Sequence, residues 1–427
     1  MRFLNFTLFL AKNFNFFLPL IYLIRLKGIL PLGQSSQFTS KNNNILLISK
    51  TGFIEDFKII SNHKNNDFNF FVLNRNVADI IAKGFLPIDQ QIDYLSNECY
   101  HSKSHADLQS FWIKLFYKLN YSYNFKGLVS GSWVYWNERD LHEALTLCNF
   151  PIVILYKEAV MSKKVADYLI STYRSSRQFF GNSILVYSDA QRNRLISGMV
   201  TIPEKISVVG SPRFDVLLSR ANSTQLPDLN KGSFKIVFFL HDNFLGDPEA
   251  SLDLEFTHTI FNARIDLINI AFQTALFDPS FFVVIKTKVS ETTVRTVKII
   301  EAMLPKLSNL VFVYGGMAND SLVEARITVA FNSTSTLDSV AAGIETVLYR
   351  PSYSMSQSEL LIEFGREIEV CSSKKELIDF LIERFSSTSS IVPYPQGSKS
   401  ELLNTFVGNS DAKASERVLL ELRKIFL

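Results

Sequence analysis

The run Asn332, Ser333, Thr334, Ser335, Thr336 sets five small polar side chains where the apolar stretch ARITVAF gives way to LDSVAA. Such a run belongs at a strand-to-helix junction. A helix start leaves backbone N–H groups unsatisfied and carries a partial positive charge, which together hold a phosphate without a cationic side chain. Small residues let the anion reach the backbone, and their hydroxyls add donors. Asp338, early in the same expected helix, is placed to accept from a ribose hydroxyl. The plainer alternative is that Ser333 or Thr334 only caps the helix.

Other candidates stand at the ends of apolar runs. Lys286 and Lys288 close FFVVIKTK, two residues apart and therefore on one face of an expected strand. Two ammonium groups there neutralise a diphosphate, or else form a solvated strand end. His241 follows FKIVFFL, where a neutral imidazole would donate to a leaving phosphate, and Arg350 follows ETVLY. Nearer the N-terminus, PIVILY ends in Lys157 and Glu158. A partly desolvated carboxylate beside a lysine is a candidate general base, with His241 or Asp56 next in line for that role. VVGSPRFD offers Gly210, Ser211 and Arg213, with Asp215 as a structural partner for the arginine. Gly52, after NILLISKT, either permits close approach of a ligand or serves a tight turn.

The elements that must carry these residues form two series. NILLI, FNFFVL, FKGLVS, PIVILY, SILVY and KISVV come first, and FKIVFF, FFVVIK, NLVFVY, ARITVAF and ETVLY follow. Each is a short run rich in Val, Ile, Leu and Phe, separated from the next by helical spacing. Strands apolar along their whole length, alternating with helices, predict parallel sheets covered on both faces. The polar stretch 218–233, with Pro227 and Gly232, predicts a linker. The division is then an apolar segment over 1–30, one α/β domain over 31–222, and a second over 223–427 that includes the closing helices. Ligands of open parallel sheets bind outside the carboxyl ends of the strands, where the candidates lie.

The 427 residues carry a net charge of +3, and no basic run interleaved with aromatics predicts a nucleic-acid groove. Three scattered cysteines, Cys99, Cys148 and Cys371, suit neither a disulfide framework nor a zinc site. No GxSxG, P-loop, HExxH or GxGxxG motif follows a strand. In the N-terminal segment Lys12 interrupts the apolar run and Pro19 kinks it, leaving less than the about 20 residues that span a bilayer. Three fates are open: a helix lying in the membrane interface, a helix buried on the first domain, or a spanning segment.

KISVVGSPRFDVLL, followed further on by VAFNSTSTLDSVAAGIETVLYRPS, resembles the GT-B glycosyltransferases of bacterial surface polysaccharide synthesis. PIVILYKEAV, ILVYSDAQRNRLI and VVGSPRFD look like the surface carbohydrate biosynthesis family, distantly similar to capsule and lipopolysaccharide transferases. The resemblance covers residues 150 to 355. It implies two Rossmann-like domains facing a central cleft, with a nucleotide-sugar donor on the C-terminal domain and a glycan or lipid-linked acceptor on the N-terminal one. It implies that residues 333–336 hold the donor phosphate and that neither metal nor cofactor is needed; the catalytic candidates, read from the strand ends themselves, stay Glu158 and His241. The expected setting is peripheral, on the cytoplasmic face of the plasma membrane. Relatives often carry Lys-x-His-Pro where Lys286 and Lys288 stand, and no His-Pro occurs here. Two alternatives stay open beside the transferase: a UDP-sugar 2-epimerase-like enzyme, and an inactive nucleotide-binding scaffold of the same fold.

Overall fold

The computed structural model describes residues 2–32, 43–48, 53–89, 102–158, 163–176, 178–222, 234–241, 254–288, 290–316, 318–331, 333–351, 368–387 and 401–427. The chain divides into two compact units. One comprises Met1–Ala159, Tyr168–Arg213 and Lys413–Leu427, the other Val160–Asp167 and Phe214–Ala412.

The first unit is built on seven strands: β1 (Ile29–Pro31), β2 (Asn44–Ile48), β3 (Asn69–Leu73), β4 (Phe125–Ser130), β5 (Ile152–Tyr156), β6 (Ser183–Val186) and β7 (Ile206–Val208). Their order is β1-β3-β2-β4-β5-β6-β7, and every pairing is parallel except β1 with β3. Every residue of β5 is buried, as expected of a central strand covered on both faces. Parallel neighbours need crossovers, which the helices Phe53–Ser61, Arg75–Lys83, Lys103–Tyr123, Arg139–Leu147 and Asp189–Ser197 supply. Their starts are chemically marked: the Asn74 side chain accepts from the N–H of Asn76, and that of Ser188 from Gln191.

The second unit holds β8 (Phe234–Phe239), β9 (Phe281–Thr287), β10 (Leu310–Tyr314), β11 (Ile327–Ala330), β12 (Glu345–Tyr349) and β13 (Glu369–Cys371), in the order β10-β9-β8-β11-β12-β13. All its pairings are parallel. Among its helices are Asp215–Asn222, Leu254–Phe277, Glu291–Met303, Ser335–Ala341 and Lys374–Ser386. The expected α/β class with parallel sheets in both halves is therefore observed.

Three expectations need correction. The division falls at Arg213/Phe214 rather than at the polar linker. Phe214, Leu217 and Leu218 are buried in the second unit's core with Leu337 and Val340, so apolar packing rather than chain composition sets the boundary. The last helix, Ala414–Phe426, packs with the first unit. The Phe426 ring lies where a Cβ on Gly127 of β4 would stand, and Arg423 pairs with Asp67 at 2.6 Å. Finally, the segment set apart as 1–30 is part of the first unit, the burial on the first domain that was one of its three open fates. Leu8, Ala11, Phe17, Leu20 and Ile24 are buried in its core, and β1 extends its sheet.

Candidate functional site

In each sheet the strand order reverses once. In the second unit β8 leads to β9 on one side, whereas β11 lies on the other. The carboxyl ends of β8 and β11 therefore flank the switch point, where an open parallel sheet leaves a crevice for a ligand. The hydroxyl run follows β11 at this place. Ser333 is buried, and its Oγ accepts from the N–H of Ser335 at 3.3 Å. Ser333 thus closes a local turn ahead of the helix Ser335–Ala341, whose N-cap residue Thr334 makes no side-chain capping bond. Thr336 is wholly buried, and among the described residues its Oγ1 has no hydrogen-bond partner. A buried hydroxyl without a partner costs about 1–3 kcal/mol, so capping alone does not explain Thr336. Asp338 is also buried, while Thr334 and Ser335 are half-buried. Asn332 lies outside the described residues.

Lys286 has a different task from the expected one. Its side chain is buried, and the ammonium donates to the carbonyls of Gly315 and Gly316, the latter at 3.1 Å. These glycines form the turn after β10, with φ of 82° and 75°, a region costly for residues with a Cβ. The lysine therefore ties down a turn on the neighbouring strand. Lys288 stands exposed just past β9. His241, expected to meet a leaving phosphate, has no exposed surface. Its Nε2 lies 3.0 Å from the carbonyl of Ile260, its ring packs on Phe331, and its carbonyl accepts from Arg264. It supports the floor of the β8–β11 end from beneath. Arg350 follows β12, its N–H donating to the carbonyl of Cys371 at 2.8 Å.

In the first unit the switch point lies between β2 and β4. Asp56, in the first turn of the helix after β2, is fully buried at this end of the sheet. The Tyr187 hydroxyl, past β6, donates to its Oδ2 at 2.5 Å, and the N–H of Arg213, past β7, donates to Oδ1 at 2.9 Å. Burial pushes its pKa up to about 6, against the opposing pull of the Arg213 charge and the Tyr187 hydrogen bond. The Tyr187 phenol is in turn raised well above its ordinary value by burial and by Asp56. At the end of β4, the Ser130 hydroxyl donates to Glu138 Oε2 at 2.8 Å, both side chains being buried.

Glu158 emerges past β5, with 41% of its side chain exposed. Its Oε1 accepts from Lys157 at 2.6 Å and from the Tyr135 hydroxyl at 2.6 Å. Burial, with Glu158 next in effect, raises the Tyr135 phenol far above its usual range. Gly210 has a φ of 82° and Ser211 is buried, so GSPR forms the tight turn that delivers the Arg213 N–H to Asp56. Gly52 lies outside the described residues. Tyr187, Tyr135, Ser130 and Glu138 join the site without any signal in the sequence beyond their places at or after strand ends, whereas Asp56 was a fallback candidate for the base.

The two sheets and their helices define a GT-B-like α/β protein. No protein-family model matches the sequence, and no curated protein does. Among solved structures, UDP-GlcNAc 2-epimerase from Neisseria meningitidis, bound to UDP-GlcNAc, superposes with a TM-score of 0.51 at 12% identity, over 89% of this chain and all of the other. The UDP-GlcNAc 2-epimerase of Methanocaldococcus jannaschii gives 0.51 at 13% identity, over 89% of this chain and 99% of that one. The S. aureus protein MnaA, solved with UDP, gives 0.50 at 11%, over 90% and 98%. What this chain shares with them is the fold.

Proposed function

We propose that the protein is an enzyme acting on a nucleotide-sugar, and that it belongs with the 2-epimerase-like use of this fold rather than with glycosyl transfer. The observation that carries the nucleotide-sugar reading is the buried hydroxyl of Thr336, which no described residue satisfies, at the switch point of the second sheet. A diphosphate oxygen there would satisfy it and would be met by the small residues Ser333, Thr334 and Ser335. The choice of epimerase rests on fold likeness to proteins that bind UDP and UDP-GlcNAc.

Inverting a carbon of a bound sugar needs a proton taken from one face and returned on the other. Asp56, near pH 6, holds Tyr187 and the Arg213 turn in place and sets the charge of that end of the sheet. Glu158, half in solvent, is the carboxylate able to meet a sugar. The second reading, transfer onto a membrane-borne glycan, is favoured by one observation: the apolar outer face of residues 3–30.

Incubation with UDP-GlcNAc, followed by NMR of the sugar protons, separates the two. A second UDP-sugar isomer reached without acceptor supports the epimerase. UDP release that requires an added glycan supports the transferase. No turnover of any of a panel of nucleotide-sugars would sink both. Glu158→Gln should lower turnover by roughly a hundredfold or more with nucleotide affinity held; lost thermal stability with retained turnover would make Glu158 a structural partner of Lys157.

A further inference from the structure

The helix Arg2–Phe14 and the short helix Leu18–Leu23 that follows are apolar on two opposite faces. One face is core: Leu8, Ala11, Phe17 and Leu20 are buried, with the Phe17 ring 5.2 Å from that of Phe111. The other face looks outward. Phe3, Phe6, Phe14, Leu18, Tyr22 and Leu26 are each more than half exposed, Phe3 at 72% and Leu18 at 70%. Leu18, Tyr22 and Leu26 recur every fourth residue, and the helix Arg2–Phe14 that packs on this stretch turns Phe3, Phe6 and Phe14 outward. Monomeric proteins rarely hold so dense an aromatic patch in water.

The charged residues of the segment itself are of one sign, while the helix Arg75–Lys83 that packs on it carries Asp79. No Asp or Glu precedes Glu55 in the sequence. Arg25 and Lys27 are exposed within the segment. The neighbouring helix Lys103–Tyr123 turns Lys114, Tyr117, Lys118 and Tyr121 to solvent at i, i+3, i+4 and i+7, and Lys118 Nζ lies 5.8 Å from the Phe17 ring centre. The one acidic residue of that helix, Asp107, is two turns before Lys114. Aromatic and aliphatic side chains amid lysines match the boundary between acyl chains and anionic headgroups. A second copy of the chain fits less well, because a two-fold interface would set these cations against their own images. Among the described residues no helix is long and apolar enough to cross a membrane.

We propose that this outward face docks onto the anionic surface of a lipid bilayer, lying on it rather than spanning it. The proposal is independent of the nucleotide-sugar reading, since binding is read without turnover.

Full-length protein is sedimented with vesicles of phosphatidylcholine alone or mixed equally with phosphatidylglycerol. It should pellet with the mixed vesicles and far less with the neutral ones, and raised salt should weaken the binding. Joint replacement Phe6→Ser, Phe14→Ser and Leu18→Ser should cut vesicle binding by about tenfold or more at unchanged melting temperature. Joint Lys27→Glu and Lys118→Glu, which leaves the apolar face whole, should abolish the preference for anionic vesicles. Wild-type protein left in the supernatant with both vesicle types overturns the proposal. So does a dimer, seen by light scattering, that the serine variant dissociates while vesicles bind neither form.

Discussion

Asp56 is protonated over a pH range in which an exposed aspartate is ionised. Its folded pKa is raised by burial to about 6 from an ordinary 3.8. Below about pH 4 both folded and unfolded chains hold the proton. Between that value and about pH 6 only the folded chain does, so stability present in acid is lost as pH rises through the folded pKa, by roughly 3 kcal/mol in all. Asp56→Asn cannot titrate. The stability difference between wild type and variant should therefore move in favour of asparagine from about pH 4 to about pH 6. Urea unfolding at a series of pH values reads this directly, and a constant difference would mean that Asp56 ionises normally. The sequence offered Asp56 only as a fallback base and could not show its burial, because its partners Tyr187 and Arg213 lie 131 and 157 positions away. Proximity of that kind is made by the sheet order, which no local pattern carries. Lys286 and His241 were found at strand ends, as their spacing indicated, but their partners are main-chain carbonyls from other elements.

At the scale of elements, the apolar runs of both series were legible because parallel strands are buried on both faces and read as unbroken hydrophobic stretches. Two of the four edge strands, β1 and β13, were not. β1 and β13 have three residues each, too few for a periodicity, and β1 sits inside a segment apolar throughout. The glycine turn after β10 depends on an ammonium from β9. Lys286→Met keeps the length and removes the donor, leaving those carbonyls without it. The cost should be about 1–3 kcal/mol in the second unit. An unchanged urea midpoint would show that the turn holds itself.

At the scale of the molecule, the chain's polar linker and its compact units do not coincide. Composition marked 218–233, yet Phe214, Leu217 and Leu218 already pack in the second core. The return of the last helix to the first unit was equally hidden, since its amphipathic spacing states that it packs and not on what. Val418, Leu419 and Leu422 are completely buried there. Each contributes roughly 1.5–3 kcal/mol of burial, and a domain holds only about 5–15 kcal/mol in total. Deleting residues 413–427 should therefore leave the first unit unfolded, as judged by its melting transition. A truncated chain that melts like the full one would contradict the packing described.

The account as a whole turns on whether a nucleotide diphosphate sits at the β8–β11 switch point of the second unit. Calorimetric titration of the full chain with UDP, beside Thr336→Val, tests this most directly. Valine keeps the shape of threonine and removes the buried hydroxyl that lacks a partner among the described residues. The account predicts saturable binding to the wild type, weakened about fivefold or more in a variant at least as stable. No binding of UDP or of any UDP-sugar, or equal affinity in the two proteins, would contradict it.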